Sequence, residues 1–182
     1  MIQSVLAKVA RKINEKNITW AVGASVLLNH HNLIENPRDI DILVAEEEIE
    51  AIHSVLIELG DKVSIESKKP FLTKYFYHYI VEGVEIDVMG AFKIQHEDGV
   101  YELEFDRASI TSKENINGVD VPFSSLEDWF VLYQLIPGRE KKVELIQDEL
   151  KEKGIKNPQL LERALSKQLP ASIKGRINGI LK

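Results

Sequence analysis

The sequence predicts an α+β protein in which a small, twisted mixed sheet is flanked by helices and followed by a helical C-terminal segment. Apolar residues recur at helical spacing over residues 2–16 and again from residue 124 onward, as expected for amphipathic helices. Between residues 62 and 105 the pattern changes to short runs rich in β-branched and aromatic residues, separated by turn signals. Strands grouped between helical segments favour a sheet with helices packed against it.

The chain of 182 residues is long enough for one domain with a helical appendage. We place the boundary after residue 122 and expect an α/β core over residues 1–122 and a helical segment over residues 123–182. The absence of cysteine excludes disulfides and thiolate metal sites. The sequence has no apolar run long enough to span a bilayer and no convincing signal peptide, so we expect a cytoplasmic protein with no membrane partner.

In the first half of the chain, helices alternate with two short apolar strands. After the first helix, a run that ends at Gly23 predicts a strand, and the residues from there to about Asn32 predict a helix. A polar loop around Pro37 leads into a second strand that ends at Val44. The next helix has acidic residues in its first turn, where the helix dipole favours them, and Gly60 ends it.

The second half begins with a β-rich region and ends with helices. Glu82-Gly83 predicts the turn of a hairpin between residues 71–81 and 84–88, and residues 96–99 predict another turn. Asn117-Gly118 predicts a tight turn between two short strand fragments. Four helices are then predicted, over residues 124–136, 139–153, 158–169 and 173–181.

Two carboxylates stand at the start of the second strand, in the sequence Asp39-Ile40-Asp41-Ile42. Residues two apart in a strand share a face, so Asp39 and Asp41 would point the same way while the isoleucines point into the core. Carboxylates held side by side repel each other, and burial raises the pKa of at least one of them. A cation between them removes this conflict, and Mg²⁺ suits the position because it binds one or two carboxylates together with substrate phosphates.

Together with Val22-Gly23, this pair resembles the signature of the polymerase-beta-like nucleotidyltransferase superfamily, in particular its small bacterial antibiotic and minimal nucleotidyltransferases. That signature has a glycine and a second small residue after a strand, followed further on by D-x-D or D-x-E between apolar residues. Ala24 stands where the family commonly has Gly or Ser, so the turn departs from the commonest form. The resemblance covers roughly residues 18–146 and implies a nucleotidyltransferase-like fold.

The resemblance implies a third carboxylate on a later strand. Such a residue fits the chemistry, because a two-metal phosphoryl-transfer site needs a further oxygen ligand. The segment Val84–Val88 alternates apolar and acidic residues, and Asp87 is the better candidate because Glu85 lies close to the preceding turn. The alternative is a half-exposed strand with a solvated acidic face.

The resemblance further implies a metal-dependent enzyme that moves a nucleoside monophosphate, AMP from ATP, to an acceptor hydroxyl. Asp39, Asp41 and Asp87 would be the catalytic residues and the ligands of Mg²⁺ or Mn²⁺. The turn Gly23-Ala24-Ser25 would bind the nucleotide at the N-terminus of a helix, where backbone N–H groups favour phosphates. Ser25 would equally serve as a helix cap.

Three basic residues are candidates for binding. Arg38 directly precedes the first aspartate and would either contact a phosphate of the nucleotide or pair with the acidic cluster. Arg139 and Lys142 follow the helix break at Pro137-Gly138, where related small nucleotidyltransferases often carry a lysine–aspartate pair, and they are the candidates if basic residues of this segment bind substrate. The histidines, including His78, are expected to be structural.

The net charge of −6 is unevenly distributed. Residues 1–138 contain 12 Lys and Arg against 23 Asp and Glu, whereas residues 139–182 contain 11 against 6. An acidic body makes nucleic acid an improbable partner and favours a small acceptor, such as a cationic antibiotic. A second hypothesis is a non-catalytic binding module of the same fold that acts as an antitoxin-like or regulatory partner. A protein partner or a homodimer is compatible with both hypotheses.

Overall fold

The computed structural model describes all 182 residues and contains seven α-helices and nine strands, which confirms the predicted α+β class. The helices are α1 (Ile2–Asn14), α2 (Ala24–His30), α3 (Ile49–Leu59), α4 (Leu126–Leu135), α5 (Glu140–Lys153), α6 (Pro158–Leu165) and α7 (Ala171–Leu181). The strands are β1 (Trp20–Gly23), β2 (Ile40–Val44), β3 (Asp61–Val63), β4 (Tyr75–Val81), β5 (Val84–Gly90), β6 (Lys93–His96), β7 (Gly99–Glu102), β8 (Ile110–Ile116) and β9 (Val119–Ser124). None of the helices combines the length and the apolar character needed to cross a membrane.

Seven of the strands form one mixed sheet in the order β3-β4-β5-β2-β1-β9-β8. β2 runs parallel to β5 and β1 runs parallel to β9, whereas the other neighbours are antiparallel. β6 and β7 form a separate hairpin. β1, β2 and β5, which carry the candidate turn and the candidate carboxylates, are therefore interior strands with a neighbour on each side.

Two strand boundaries differ from the sequence-based expectation. The strand predicted over residues 71–81 begins only at Tyr75, because Phe71 pairs instead with Ile94 in an isolated bridge. The fragments predicted around Asn117-Gly118 are two full strands, since their pairing continues back to Ile110. Both differences lie outside the interior strands that carry the aspartates.

The sheet and the C-terminal helices share one hydrophobic core. A single cluster of 50 buried residues extends from Val5 in α1 to Ile177 in α7. α1 packs against β9 and α3, and α3 packs against β4. The boundary expected after residue 122 falls inside β9, and the division of the chain into two parts stays a prediction.

α4 is surrounded by protein on nearly all sides. Nine of its ten residues are buried, because it packs against α5, α6 and α7 as well as the sheet domain.

Two of the buried residues of α4 are acidic. Glu127 accepts a hydrogen bond from the backbone N–H of Asn157 at 2.9 Å. Oδ2 of Asp128 has no hydrogen-bond partner, and burial raises the pKa of this carboxyl group to about 7, against the opposing charge of Arg163.

The buried carboxyl group of Asp128 predicts a pH-dependent stability. Between the ordinary Asp pKa of 3.8 and the raised value of about 7, the unfolded chain releases its proton before the folded one, so the free energy of unfolding falls as pH rises through this window. An Asp128→Asn variant keeps the shape of the side chain and removes the titration. Between about pH 5 and pH 7.5, we expect the free energy of unfolding of wild type to fall by on the order of 2 kcal/mol more than that of this variant. Urea unfolding measures both.

The exposed Asp61 provides the control for this prediction, since Asp61→Asn removes a carboxylate from the surface. That variant should follow the pH dependence of wild type. An Asp128→Asn variant that also follows it would show that the buried carboxyl group ionises without cost.

Candidate active site

The hydrogen-bond register of the sheet places four residues in one row. Gly23 of β1 lies opposite Asp41 of β2. Asp41 lies beside Asp87 of β5, and Asp87 lies opposite His78 of β4. Residues paired in this way share a face of the sheet, and Asp39 points to the same side because it precedes Asp41 by two positions. The row therefore brings the three candidate carboxylates together.

The three aspartates line a cavity of about 490 Å³. Its other walls come from the turn at Ala24 and Ser25, from residues 65–73 before β4, and from α4 with the start of α5. A second cavity of about 540 Å³ lies between the start of α1 and the loop around Pro37. Because the second cavity contains none of the aspartates, the chemistry of the lining rather than the volume identifies the first as the candidate active site.

Of the three aspartates, Asp41 has the surroundings least favourable to its ionised form. Burial, followed by the charges of Asp39 and Asp87, raises its pKa to about 8, and the positive charges of Lys142 and Arg139 oppose this only in part. In the absence of a bound cation, the surroundings of Asp41 thus favour its protonated form more than those of an ordinary aspartate do. A positive charge delivered to the cavity would restore its ionised form.

Asp87 is paired with a histidine that the sequence analysis left without a partner. Nδ1 of His78 lies 2.5 Å from Oδ1 of Asp87, and His78 is only 7% exposed. Burial raises the pKa of Asp87, and the hydrogen bond from His78 lowers it in part. His78 thus holds the Asp87 carboxylate in one orientation, in the way that residues behind metal-binding groups do.

The position of His78 follows from the length of a turn. The hairpin between β4 and β5 has two turn residues, Glu82 and Gly83, and both have positive φ, as a type I′ turn requires. Counting outward from a two-residue turn pairs position 78 with position 87. The predicted Glu82-Gly83 turn was therefore the signal that would have identified His78 from the sequence.

The turn at the start of α2 has a backbone conformation that its residue Ala24 does not favour. Ala24 has a φ of +47°, a left-handed conformation in which glycine is free of steric cost and alanine is not. Ser25 does not cap the helix: its Oγ donates a hydrogen bond to Oδ1 of Asp39 at 3.3 Å. The turn thus contacts the carboxylate cluster directly.

Trp129 of α4 holds this turn against the sheet. A Cβ atom at Gly23 would lie 2.5 Å from the Trp129 ring, so only glycine allows the contact. Nε1 of Trp129 donates to Oγ of Ser124 at 3.0 Å, and that hydroxyl donates to the backbone carbonyl of Val22 at 2.9 Å. The helical segment is therefore fixed to the strand that ends at the site.

The basic residues predicted to bind substrate occupy two different places. Arg139 and Lys142 line the same cavity as the aspartates, and burial and the charge of Arg139 lower the pKa of Lys142. Nζ of Lys142 lies 5.1 Å from the centre of the Tyr133 ring. Arg38 is exposed and lines the second cavity, because residues adjacent in an extended chain point to opposite faces and Arg38 therefore points away from Asp39.

The donor set fits a metal ion that is bound together with a substrate. No group of three or more His, Cys, Asp or Glu side chains is arranged to hold a metal ion by itself. Mg²⁺ usually takes one or two carboxylates, water and phosphate oxygens. The oxygen-only chemistry of Asp39, Asp41 and Asp87 matches that requirement, and the raised pKa of Asp41 marks where positive charge would be favourable.

Carboxylates on neighbouring strands that face one cavity fit a nucleotidyltransferase site, and comparison with known proteins shows this class of enzyme. The family model of the aminoglycoside-2''-adenylyltransferases matches residues 5–152. The chain therefore belongs to the aminoglycoside-2''-adenylyltransferase family. This confirms the superfamily and the enzyme class predicted from the sequence. No curated protein matches the chain at a significant level.

Several solved structures share the fold. A protein from Thermotoga maritima assigned as a nucleotidyltransferase is 25% identical with a TM-score of 0.59, and the match covers 82% of this chain and 92% of that one. ANT(2'')-Ia in complex with adenylyl-2''-tobramycin is 13% identical with a TM-score of 0.59, over 98% and 96% of the two chains. Lincomycin-bound LnuA, a lincosamide antibiotic adenylyltransferase, is 14% identical with a TM-score of 0.54, over 79% and 95%. At such low identity, the last two show the fold alone.

The contact between Gly23 and Trp129 predicts opposite effects of alanine at two glycines. Gly23→Ala places a methyl group 2.5 Å from the indole ring and should lower the free energy of unfolding by about 1–3 kcal/mol through overpacking. Gly175 of α7 has open space around its Cβ position, so Gly175→Ala should raise stability by up to about 1 kcal/mol through helix propensity. Urea unfolding measures both, and a Gly23→Ala variant as stable as wild type would disprove the close contact.

The crowding of carboxyl groups predicts that one site substitution stabilises the metal-free protein. Because the pKa of Asp41 is raised from 3.8 to about 8, its contribution to the free energy of unfolding falls as pH rises between these values. In the presence of a chelator, Asp41→Asn should therefore raise stability by about 1–3 kcal/mol near pH 8 and by less near pH 5. Thermal unfolding at both pH values tests this, and a less stable variant would mean that the Asp41 carboxylate makes a favourable contact in the folded protein.

Proposed function

We propose that this protein transfers the AMP group of ATP to a hydroxyl group of a small-molecule acceptor, using Mg²⁺ or Mn²⁺. The observation that carries the proposal is the pairing of β1, β2 and β5, which brings Asp39, Asp41 and Asp87 to one cavity. Membership of an adenylyltransferase family supports the transferred group. Structures of the same fold with an adenylylated antibiotic or with lincomycin support a small-molecule acceptor.

In this proposal the three aspartates have different roles. Asp39 and Asp41 would hold the divalent ion on the triphosphate, and Asp87 would complete the site on the acceptor side. When bound, the ion neutralises negative charge on the phosphates and so lowers the barrier to attack at phosphorus. The ordered carboxylates contribute mainly by positioning, since phosphoryl transfer depends chiefly on alignment and charge neutralisation.

Asp87 would also accept the proton of the attacking hydroxyl group. As the acceptor oxygen forms its bond to the α-phosphorus, the bond from that phosphorus to pyrophosphate breaks, and the hydroxyl proton passes to the carboxylate. His78 fixes the orientation of Asp87 through the 2.5 Å contact, so that one carboxylate oxygen stays directed at the cavity. Substitutions of His78 would act through this orientation, which makes it a positioning residue.

The remaining cavity residues would bind the nucleotide phosphates. Arg139 and Lys142 supply two positive charges close to the aspartates, where they would pair with the triphosphate and the departing pyrophosphate. The Gly23–Ser25 turn would bring backbone N–H groups to the same phosphates. Arg38 has no place in this proposal, because it lines the other cavity.

Nucleotide-dependent thermal stability tests the proposal directly. Wild type would be heated with ATP, GTP, CTP or UTP, each with and without Mg²⁺ or Mn²⁺. A ligand that binds only the folded state adds RT ln(1 + [L]/Kd), or about 2.7 kcal/mol at a hundredfold excess over Kd, which corresponds to a rise of about 5–10 °C in Tm for a chain of this length. We expect this rise with ATP and metal together, and its loss in the double variant Asp39→Ala/Asp41→Ala.

The double variant Glu58→Ala/Asp61→Ala is the matched control, because it removes two exposed carboxylates with no ion pair. It should retain the full metal-dependent rise in Tm with ATP. If no nucleotide at millimolar concentration stabilises wild type in the presence of either metal, the proposed donor and metal site are wrong.

A further inference from the structure

Two of the three aspartates in the cavity have a hydrogen-bond partner in the protein, and the third has none. Oγ of Ser25 donates to Asp39 at 3.3 Å, and Nδ1 of His78 lies 2.5 Å from Oδ1 of Asp87. The carboxyl group of Asp41 makes no such contact, and its pKa is set by burial and by the charges of its neighbours alone. Side chains that bind a metal ion are usually oriented by a hydrogen-bond partner behind them, so Asp41 lacks a contact that the other two aspartates have.

A buried hydroxyl group on α4 also lacks a partner. The hydroxyl oxygen of Tyr133 is buried and makes no hydrogen bond, and the residue as a whole is 3% exposed. Burying a hydroxyl group without a partner is unfavourable, and phenylalanine would fill nearly the same space without that cost. Packing alone therefore does not account for tyrosine at this position.

The packing of α4 places Tyr133 near Asp41. Trp129 and Tyr133 are four residues apart and so share a face of the helix, and their ring centres are 5.1 Å apart. Trp129 packs against Gly23, which lies opposite Asp41 in the pairing of β1 with β2. Two successive contacts thus connect the cross-strand neighbour of Asp41 to Tyr133, and Tyr133 lines the same cavity as the aspartates.

The charges around the Tyr133 hydroxyl group indicate the same partner. Burial raises the pKa of Tyr133, and the charge of Asp41 raises it further, more than the charge of Asp39 does, whereas Arg139 opposes them. The hydroxyl group therefore keeps its proton and can donate it in a hydrogen bond. Arg139 and Lys142, whose Nζ lies 5.1 Å from the ring centre, have no acceptor atoms. Because Asp39 already has a donor, Asp41 is the remaining acceptor among these charged groups.

We infer that Tyr133 is a positioning residue for the metal ion, and that its hydroxyl group donates a hydrogen bond to Asp41 when the ion is bound. A carboxylate that binds an ion through one oxygen has its other oxygen free to accept, and such a donor fixes the orientation of the carboxylate. Tyr133 needs no contact with nucleotide or acceptor in this role, which agrees with its burial. The inference rests on one part of the proposed function, the assignment of a metal ion to Asp41.

The variant Tyr133→Phe tests this role, because it removes the hydroxyl oxygen and keeps the ring. Mn²⁺ alone is titrated into wild type and variant, and electron paramagnetic resonance measures the free ion. A non-hydrolysable ATP analogue is then titrated calorimetrically into each protein, in excess Mn²⁺ and in EDTA. We expect the variant to need about tenfold more Mn²⁺ for half-saturation, to bind the analogue more weakly in Mn²⁺, and to match wild type in EDTA.

Thermal unfolding in EDTA separates this role from a structural one. Because the Tyr133 hydroxyl group has no partner in the protein, the Tm of Tyr133→Phe should equal or exceed that of wild type. The matched control is Tyr79→Phe, since the Tyr79 hydroxyl oxygen lies 2.6 Å from Nδ1 of His53 and Tyr79 is outside the cavity. The control should have a lower Tm than wild type and should bind Mn²⁺ as tightly.

Three outcomes would overturn the inference while a metal-dependent rise in Tm with ATP still supports the proposed function. The first is equal binding of Mn²⁺ by wild type and Tyr133→Phe. The second is a loss confined to the ATP analogue, which would assign the hydroxyl group to the nucleotide. The third is a Tm of Tyr133→Phe in EDTA that falls as far as that of Tyr79→Phe, which would show a structural partner.

Two further outcomes concern the proposed function itself. Mn²⁺ binding that is weakened in Tyr133→Phe and lost in Asp39→Ala/Asp41→Ala would support the inference even if no nucleotide stabilises wild type, a result that would refute the proposed nucleotide donor. If wild type binds Mn²⁺ neither alone nor with the ATP analogue, the inference and the proposed function are both wrong.

Discussion

The parallel pairing of β2 with β5 is the constraint on which the site depends. It sets Asp41 beside Asp87, although 45 positions separate them in the chain. Parallel neighbours require a crossover connection, which α3 and the two strands before β5 provide. On the reverse face, Ile40, Ile42 and Ile86 are fully buried, and each contributes about 1.5–3 kcal/mol. That apolar burial offsets the cost of holding carboxyl groups close together, so the same two strands both create the electrostatic conflict and supply the free energy that sustains it.

The C-terminal helices belong to the site as much as the sheet does. Trp129 fixes the turn at Gly23, and Tyr133 gives the cavity a buried wall. Arg139 and Lys142 bring positive charges that oppose the raised pKa of Asp41. A sheet without these helices would present three aspartates to solvent, where water would screen them and their pKa values would lie near those of ordinary carboxylates. The helical segment therefore converts an acidic strand surface into a cavity in which two positive charges partly offset the three aspartates.

Local patterns in the sequence were sufficient for the α+β class and for the common direction of the three aspartates, because strand alternation and the D-x-D spacing depend only on near neighbours. The same alternation indicates that Arg38 and Asp39 point apart, and Arg38 lines the second cavity; nucleotide binding by Arg38 stays a prediction. His78 required counting outward from a turn of known length. The Gly23–Trp129 contact and the burial of Asp128, whose Oδ2 has no partner, depend on packing between residues far apart in the chain, and no local pattern encodes that packing.

The length of the turn at Glu82 and Gly83 determines which residues of β4 and β5 lie opposite each other, and so it places His78 beside Asp87. Side chains alternate along a strand, so one residue inserted between β4 and β5 would turn His78 to the opposite face from Asp87. The turn is exposed at the end of the hairpin, where a change of length would ordinarily have little effect on folding. Selection on this protein should therefore act on the length of a surface turn that lies outside the candidate active site.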